Sequence, residues 1–237
     1  MQTPRQNCLL AALPREDYER LLPHLEPVAL PQNWIVHRSG DPERCLYFLI
    51  SGIVARLSVT QGGALSEFAI TGREGVIGVA TFLGGGSTPS EAIVLRAGYA
   101  YRLAAPRLDH EVERAGPLSH LLLLYTQALM AQTGQTAVCN RHHSLEQQLC
   151  RWILTCLDRS ASNELIMTQE LIARLLGVRR QGITQAAGKL QRVGAIHYSR
   201  GRIAVLDRAP LEARVCECYA VVRREYDRLL PECAGSP

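Results

Sequence analysis

The sequence predicts an α+β chain: an N-terminal, cupin-like β-roll, one long helix, and a C-terminal winged helix-turn-helix. Three observations carry this. Between residues 31 and 105, short runs such as "CLYFLI", "IVARLSVT", "LSEFAI" and "AIVLRA" are divided by "SG", "QGGA", "TGREG" and "GGGSTPS", the texture of strands joined by glycine-rich turns. Beyond Pro117, "LSHLLLLYTQALMAQTGQTAV" reads as one helix. From Thr168, "TQELIARLLGVRRQGITQAAGKLQRVGAI" holds two short helical patterns on either side of a glycine.

Bulk properties narrow the classes. A chain of 237 residues, 47% hydrophobic and 20% charged, can bury a core and is neither disordered nor fibrous. No signal peptide is expected, and the apolar run "LLLLYTQALMA" at 121–131 is shorter than a bilayer span. The expectation is therefore a cytoplasmic protein with no membrane partner. The net charge of +4 is unevenly placed. Residues 1–145 hold 12 Arg against 12 acidic residues, whereas 168–208 hold 8 basic against 2 acidic. A neutral front and a basic back half suggest contact with a polyanion. Cysteines stand at 8, 45, 139, 150, 156, 216, 218 and 233 without a CxxC pair, which reads as reduced thiols. Cys45, Cys150 and Cys156 lie in apolar runs and serve as core.

The elements follow in order. The first thirty residues give helical turns interrupted by Pro14, Pro23 and Pro27. "VARLSVTQGGALSEFAI" is a hairpin turning at Gln61-Gly62-Gly63. Pro106 and Pro117 bracket a short helix. The long helix carries Leu121, Leu122, Tyr125, Ala128 and Leu129 on a stripe that either covers the sheet or pairs with a second copy. "SLEQQLCRWILTCLDR" opens with a Ser144/Gln147 capping box, and "PLEARVCECYAVVRREYDRLL" reads as a final amphipathic helix. The division is a β-roll at 1–116, a long helix and hinge at 117–143, and a winged helix-turn-helix region with a final helix at 144–237.

Thr168 caps the first of the two short helices and Gly177 ends it, since glycine turns there without steric cost. The second begins near Arg179 and buries Ile183, Ala186, Ala187 and Leu190 on one side. Its outward face holds Gln181, Thr184 and Gln185, with Arg180 and Gly182 on the flanks. Such a polar face suits a major groove. There Arg180 can make a bidentate contact to guanine, and Gln181 and Gln185 can read adenine or mixed edges. "GAIHYSRGRIAVLD" supplies a wing with Arg200 and Arg202 near its tip. Thr168, Arg179, Thr184, Arg200 and Arg202 are the expected phosphate contacts.

The roll segment "SGDPERCLYFLISGIV", "HSLEQQLCRWIL" and the helix-turn-helix with its wing together resemble the Crp/Fnr family of bacterial transcription regulators, over nearly the whole chain. The resemblance implies a cyclic-nucleotide-binding-like roll and a homodimer on a two-fold symmetric operator in double-stranded DNA, recruiting or blocking RNA polymerase. It places Arg180 on the family's guanine-reading arginine. Cyclic-nucleotide binders of the family hold the ribose with a Glu soon after a Gly, and the phosphate with an Arg. Here Val79 follows Gly78 at the first position and Glu91 stands at or near the second, so no cyclic AMP binding is expected. With only Cys8 near the N-terminus, no iron–sulfur cluster is expected either. A haem- or redox-responsive member is the alternative, with His37, Cys45, His110 and His120 as the available ligands. A cupin-type enzyme needs two His and a carboxylate inside the roll, and residues 31–105 contain only His37; no catalytic residue is assigned. Cys139 with His142 and His143 has some metal-ligand spacing but lacks a second pair. Cys216 and Cys218, two apart on a helix, should point to different sides. No metal is expected.

Overall fold

In the computed structural model, which describes residues 2–160 and 162–232, the chain opens with a 3-10 turn at Pro4–Gln6 and two helices, α1 (Cys8–Ala11) and α2 (Arg15–Leu21). The roll follows: β1 (Glu26–Leu30), β2 (Ile35–His37), β3 (Cys45–Leu49), β4 (Ile53–Val59), β5 (Leu65–Thr71), β6 (Val76–Ile77), the short helix α3 (Val79–Phe82), β7 (Ser90–Arg96) and β8 (Gly98–Ala104). They form two antiparallel sheets, ordered β1-β8-β3-β6 and β2-β7-β4-β5. Leu30, Leu49, Ile77 and Ala100 of one sheet meet Val54, Ala92 and Val94 of the other in the roll's interior.

Strand structure starts five residues earlier than the sequence suggested, at Glu26, and includes Pro27. Proline fits because β1 is an edge strand, where a missing N–H breaks no ladder on the open side. The β4–β5 hairpin turns where predicted, with Gly63 at φ +79 and its N–H bonded to the Thr60 carbonyl at 2.9 Å.

After α4 (Ala105–Glu113), the long helix α5 (Pro117–His142) lies against the roll and the N-terminal helices. Tyr125 fixes it. Its ring is buried, and its hydroxyl lies 3.0 Å from Thr71 Oγ1 and donates to the Val76 carbonyl at 3.1 Å. Gly75 makes the space, since a Cβ there would lie 2.2 Å from the ring. The predicted stripe is thus taken up within the chain: Leu122, Tyr125 and Ala128 are buried, and Leu121 and Leu129 pack at the margin. A different face stays open, with Leu123 56% and Met130 70% exposed.

Next come α6 (Leu145–Asp158), opened by the predicted Ser144/Gln147 capping box, then β9 (Glu164–Ile166), α7 (Gln169–Leu176), α8 (Arg180–Arg192), β10 (Ile196–Ser199) and β11 (Arg202–Val205). β9, too short for any period to show in the sequence, completes a three-stranded sheet in the order β10-β11-β9. One continuous core joins the outer side of β4, β5 and β7 to α6 and the helix-turn-helix, through Ile53, Leu57, Ile70, Trp152, Ile172 and Ile183.

The predicted final helix is two, α9 (Ala209–Glu212) and α10 (Glu217–Leu229), because the chain extends at Cys216 (φ −75, ψ 163). α10 returns along α5, with the Tyr226 hydroxyl 2.9 Å from the Gln132 side chain. Cys150 and Cys156 are buried and Cys45 half-buried, all as free thiols. Cys8 is disulfide-bonded, which corrects the expectation of reduced thiols throughout. Cys233 lies outside the described residues. Among the described residues, no helix is long and apolar enough to cross a membrane.

Candidate nucleic-acid interface

Local chemistry builds the helix-turn-helix. Thr168 accepts the Leu171 N–H at 3.1 Å, and Glu170 sits in the first turn of α7 beside the positive end of the helix dipole. Gly177 closes α7 in the left-handed region at φ 66, and the Val178 N–H reaches back to the Ala173 carbonyl at 2.9 Å. α8 then starts at Arg180 and buries the four predicted residues, Ile183, Ala186, Ala187 and Leu190. Gly182 has a reason not visible in the sequence: a Cβ there would lie 2.6 Å from Leu145 Cδ2 at the start of α6. Nothing in the structure explains Gly188.

Arg180, Gln181, Thr184 and Gln185 are all exposed along α8, and none is covered by the roll. The wing turns through Arg200 (φ 49) and Gly201 (φ 75). Two consecutive left-handed residues match a tight two-residue hairpin turn. Gln191 ties the wing to α8 by accepting the Tyr198 N–H at 2.8 Å. A cleft of about 490 Å³ opens between these parts, lined by Thr168, Gln169, Glu170, Arg180, Tyr198 and Arg200. Three predicted contacts, Thr168, Arg180 and Arg200, therefore share one cavity. Arg179 is exposed at the α8 N-terminus, and Arg202 lies on β11 with Glu164 at 4.0 Å.

Hydroxyl chemistry separates the two threonines. The Thr168 oxygen accepts from the backbone, leaving its proton free for a phosphate oxygen. The Thr184 proton is directed at Gln169 Oε1 (2.6 Å) and the Arg180 carbonyl (3.2 Å). Thr184 thus has no donor left for DNA in this state. Sequence reasoning missed Gln169, Glu170 and Tyr198 as lining residues. Glu170 was legible only as a dipole partner, and Tyr198 only as a strand residue. Burial pushes the Tyr198 phenol up to about 12, with the Arg180 charge acting against it, so the hydroxyl keeps its proton and donates to the Met167 carbonyl at 2.7 Å.

In the roll, Gly78 takes φ 102, and a Cβ on it would lie 2.3 Å from the Cys45 carbonyl oxygen. Val79 is buried at the start of α3, and Glu91 is half-buried on β7. A second carboxylate went unnoticed in the sequence. Glu43 is buried, accepts the Ala80 N–H at 3.0 Å and lies 3.3 Å from His37 Nε2. Burial, reinforced by the Arg56 charge, lowers His37 to about 4, so the ring is neutral. Burial also raises Glu43, against the charge of Arg56. Of the other haem-ligand candidates, His110 and His120 are exposed and Cys45 is half-buried.

Residues 27–114 match the family model of the cyclic nucleotide-binding domain, and residues 147–214 that of the Crp-like helix-turn-helix domain. No curated protein is found to be similar to the chain. Among solved structures, it is similar to FixK2 from Bradyrhizobium japonicum, at 14% identity and TM-score 0.67 over 81% of this chain and 98% of that one. It is also similar to CLP, the c-di-GMP responsive global regulator of Xanthomonas campestris, at 18% identity and TM-score 0.63 over 82% and 100%. A third is a CRP-family transcriptional regulator from Thermus thermophilus, at 19% identity and TM-score 0.65 over 79% and 95%. At these identities the likeness is one of fold.

Proposed function

The chain belongs to the Crp/Fnr family of transcription regulators, and on that premise we propose that it binds a two-fold symmetric DNA site as a homodimer and acts there on RNA polymerase. The observation that carries this is the uncovered face of α8 beside the cleft that Arg180 shares with Thr168 and Arg200. In this reading Arg180, Gln181 and Gln185 reach base edges, while Thr168, Arg179, Arg200 and Arg202 hold phosphates. Thr184 serves instead to orient Gln169.

The open face of α5 supports the dimer. Leu123, Gln127, Met130, Gly134, Ala137 and Arg141 recur at alternating spacings of four and three, the seam along which two helices pair. A Cβ on Gly134 would meet nothing within 4 Å, so a partner helix can approach there. For the roll, the reading is that cyclic AMP is not the effector. Val79 offers no ribose ligand, Glu91 repels a phosphate diester, and Glu43 already occupies the Ala80 N–H.

Selection of bound sequences from random DNA, followed by gel-shift titration, tests the central claim. Arg180→Ala should lose about 10- to 100-fold in affinity for the selected site and relax its specificity there, the cost of about 1–3 kcal/mol expected for a bidentate base contact. Equal binding of selected and scrambled DNA by both proteins would refute sequence reading. Calorimetry with cyclic AMP should give no binding heat; micromolar affinity would refute the second claim.

A further inference from the structure

At the far end of α5 the fold assembles four side chains that the DNA-binding function does not use. Cys139 and His143 lie one helical turn apart, and Cys216 and Cys218 come from the segment that starts α10. The Cys139 and Cys216 sulfurs are 3.6 Å apart, Cys218 Sγ is 3.3 Å from His143 Nδ1, and all four ligand atoms lie within 4.8 Å of one another. The sequence hid this because Cys216 and Cys218 were placed on one helix. Cys216 is instead the extended residue before α10, which turns its side chain back toward that of Cys218.

From this geometry we propose that Cys139, His143, Cys216 and Cys218 form a Cys₃His site for one thiophilic divalent metal ion of the zinc class. Zinc–sulfur bonds near 2.3 Å at tetrahedral angles set ligand atoms about 3.7 Å apart, and the two observed separations sit close to that edge. The spacing suits a single ion. An iron–sulfur cluster, with its thiolates on different irons, needs them further apart.

Two features around the quartet point the same way. Glu217 Oε1 is 3.2 Å from His143 Nε2. With the ring proton on Nε2, the Nδ1 lone pair is free to face the sulfurs, the carboxylate–histidine–metal arrangement of protein zinc sites. Gln135 Nε2 donates to Cys218 Sγ at 3.2 Å, as an outer-shell donor to a thiolate would. Charge supplies the second feature. Arg151 is 5% exposed, and its Nε and Nη2 have no hydrogen-bond partner among the described residues. That guanidinium lies beside Cys139. A divalent ion with three thiolates and a neutral imidazole carries one net negative charge, which that guanidinium offsets.

Four protein ligands leave no coordination position for water, so the site is structural. It clasps the end of α5 to the start of α10. The clasp also reaches α6, where Gln148 donates to the His143 carbonyl at 2.9 Å. The inference does not depend on DNA reading.

Reduced full-length protein, stripped of metal and titrated anaerobically with Co²⁺, tests it. The expected result is one equivalent per chain, with a sulfur-to-cobalt band in the near ultraviolet and the visible bands of tetrahedral cobalt, both lost on adding Zn²⁺. The double variant Cys139→Ser/Cys216→Ser should lose them, while Cys45→Ser in the roll keeps them. Glu217→Gln should weaken metal affinity by about tenfold or more while leaving the ligand set intact. Three results would overturn the proposal: no cobalt uptake by the wild type, uptake without the charge-transfer band, or undiminished uptake by the double variant.

Discussion

Asn7 shows how much one buried polar residue can organise. Its Oδ1 accepts the Leu9 and Leu10 N–H groups and so caps α1, while its Nδ2 donates to the carbonyls of Leu49, Arg73 and Gly75 at 2.9–3.0 Å. An aspartate could cap the helix but would turn an acceptor toward those carbonyls; asparagine alone satisfies both sides. Asn7→Ala leaves buried groups on both sides unpaired and should destabilise the protein by about 3 kcal/mol, read from urea unfolding. At the interface, the two threonines should separate in a gel-shift titration. Thr168→Ala removes a helix cap and a free donor, and should lower both stability, by about 1 kcal/mol, and DNA affinity. Thr184→Ala removes a hydroxyl whose proton is already engaged, and should change affinity by less than about twofold; a loss equal to that of Thr168→Ala would restore it as a phosphate contact.

At the scale of elements, α8 balances exposure against helix propensity. Gly188 has open space where a Cβ would go, so Gly188→Ala should stabilise the free protein by up to about 1 kcal/mol through backbone propensity, visible as a raised melting temperature. Gly182→Ala gains the same propensity but pushes on Leu145 Cδ2, and the two should nearly cancel. Those glycines also mark the limit of sequence reading. The β4–β5 hairpin, the α7–turn–α8 pair and the wing were legible because each announces itself locally, by a glycine turn or by one-sided apolar spacing. β2, β6 and β9 span only two or three residues each, too few for any period to show, and they form because a neighbouring strand is already in place. The same holds for the polar groups. The exposed positions of Arg180 and Gln185 on α8 follow from helical spacing. Glu43 and the Cys139–His143–Cys216–Cys218 quartet depend on segments brought together only by the tertiary fold, and the break before α10 reversed the expected direction of Cys216.

The whole molecule is held in its present arrangement by the core that joins the roll to α6, and that core contains a carboxylate. Glu67 on β5 is buried and accepts the Trp152 Nε1–H of α6 at 2.9 Å. Burial pushes it up to about 7, against the indole hydrogen bond and the charges of Arg151 and Arg159. Its folded-state value lies above the ordinary one, so the folded protein holds a proton that the unfolded chain releases between pH 4.5 and about 7. Stability from this group is therefore greatest at the acid end and falls as pH rises through that window. His37 acts in the opposite sense. Its folded value near 4 lies below the ordinary 6.5, so its contribution rises with pH across that interval. The wild-type profile mixes these slopes, but a difference between two proteins separates them. Glu67→Gln keeps an acceptor for Trp152 and cannot ionise, while His37 and Glu43 are common to both proteins and cancel. The variant's stability relative to wild type should climb from about pH 4.5 to about pH 7, by no more than ~1.4 kcal/mol per pH unit, and level off above. Urea unfolding across that range measures it, and a flat difference would mean that the roll and α6 meet around a carboxylate already ionised.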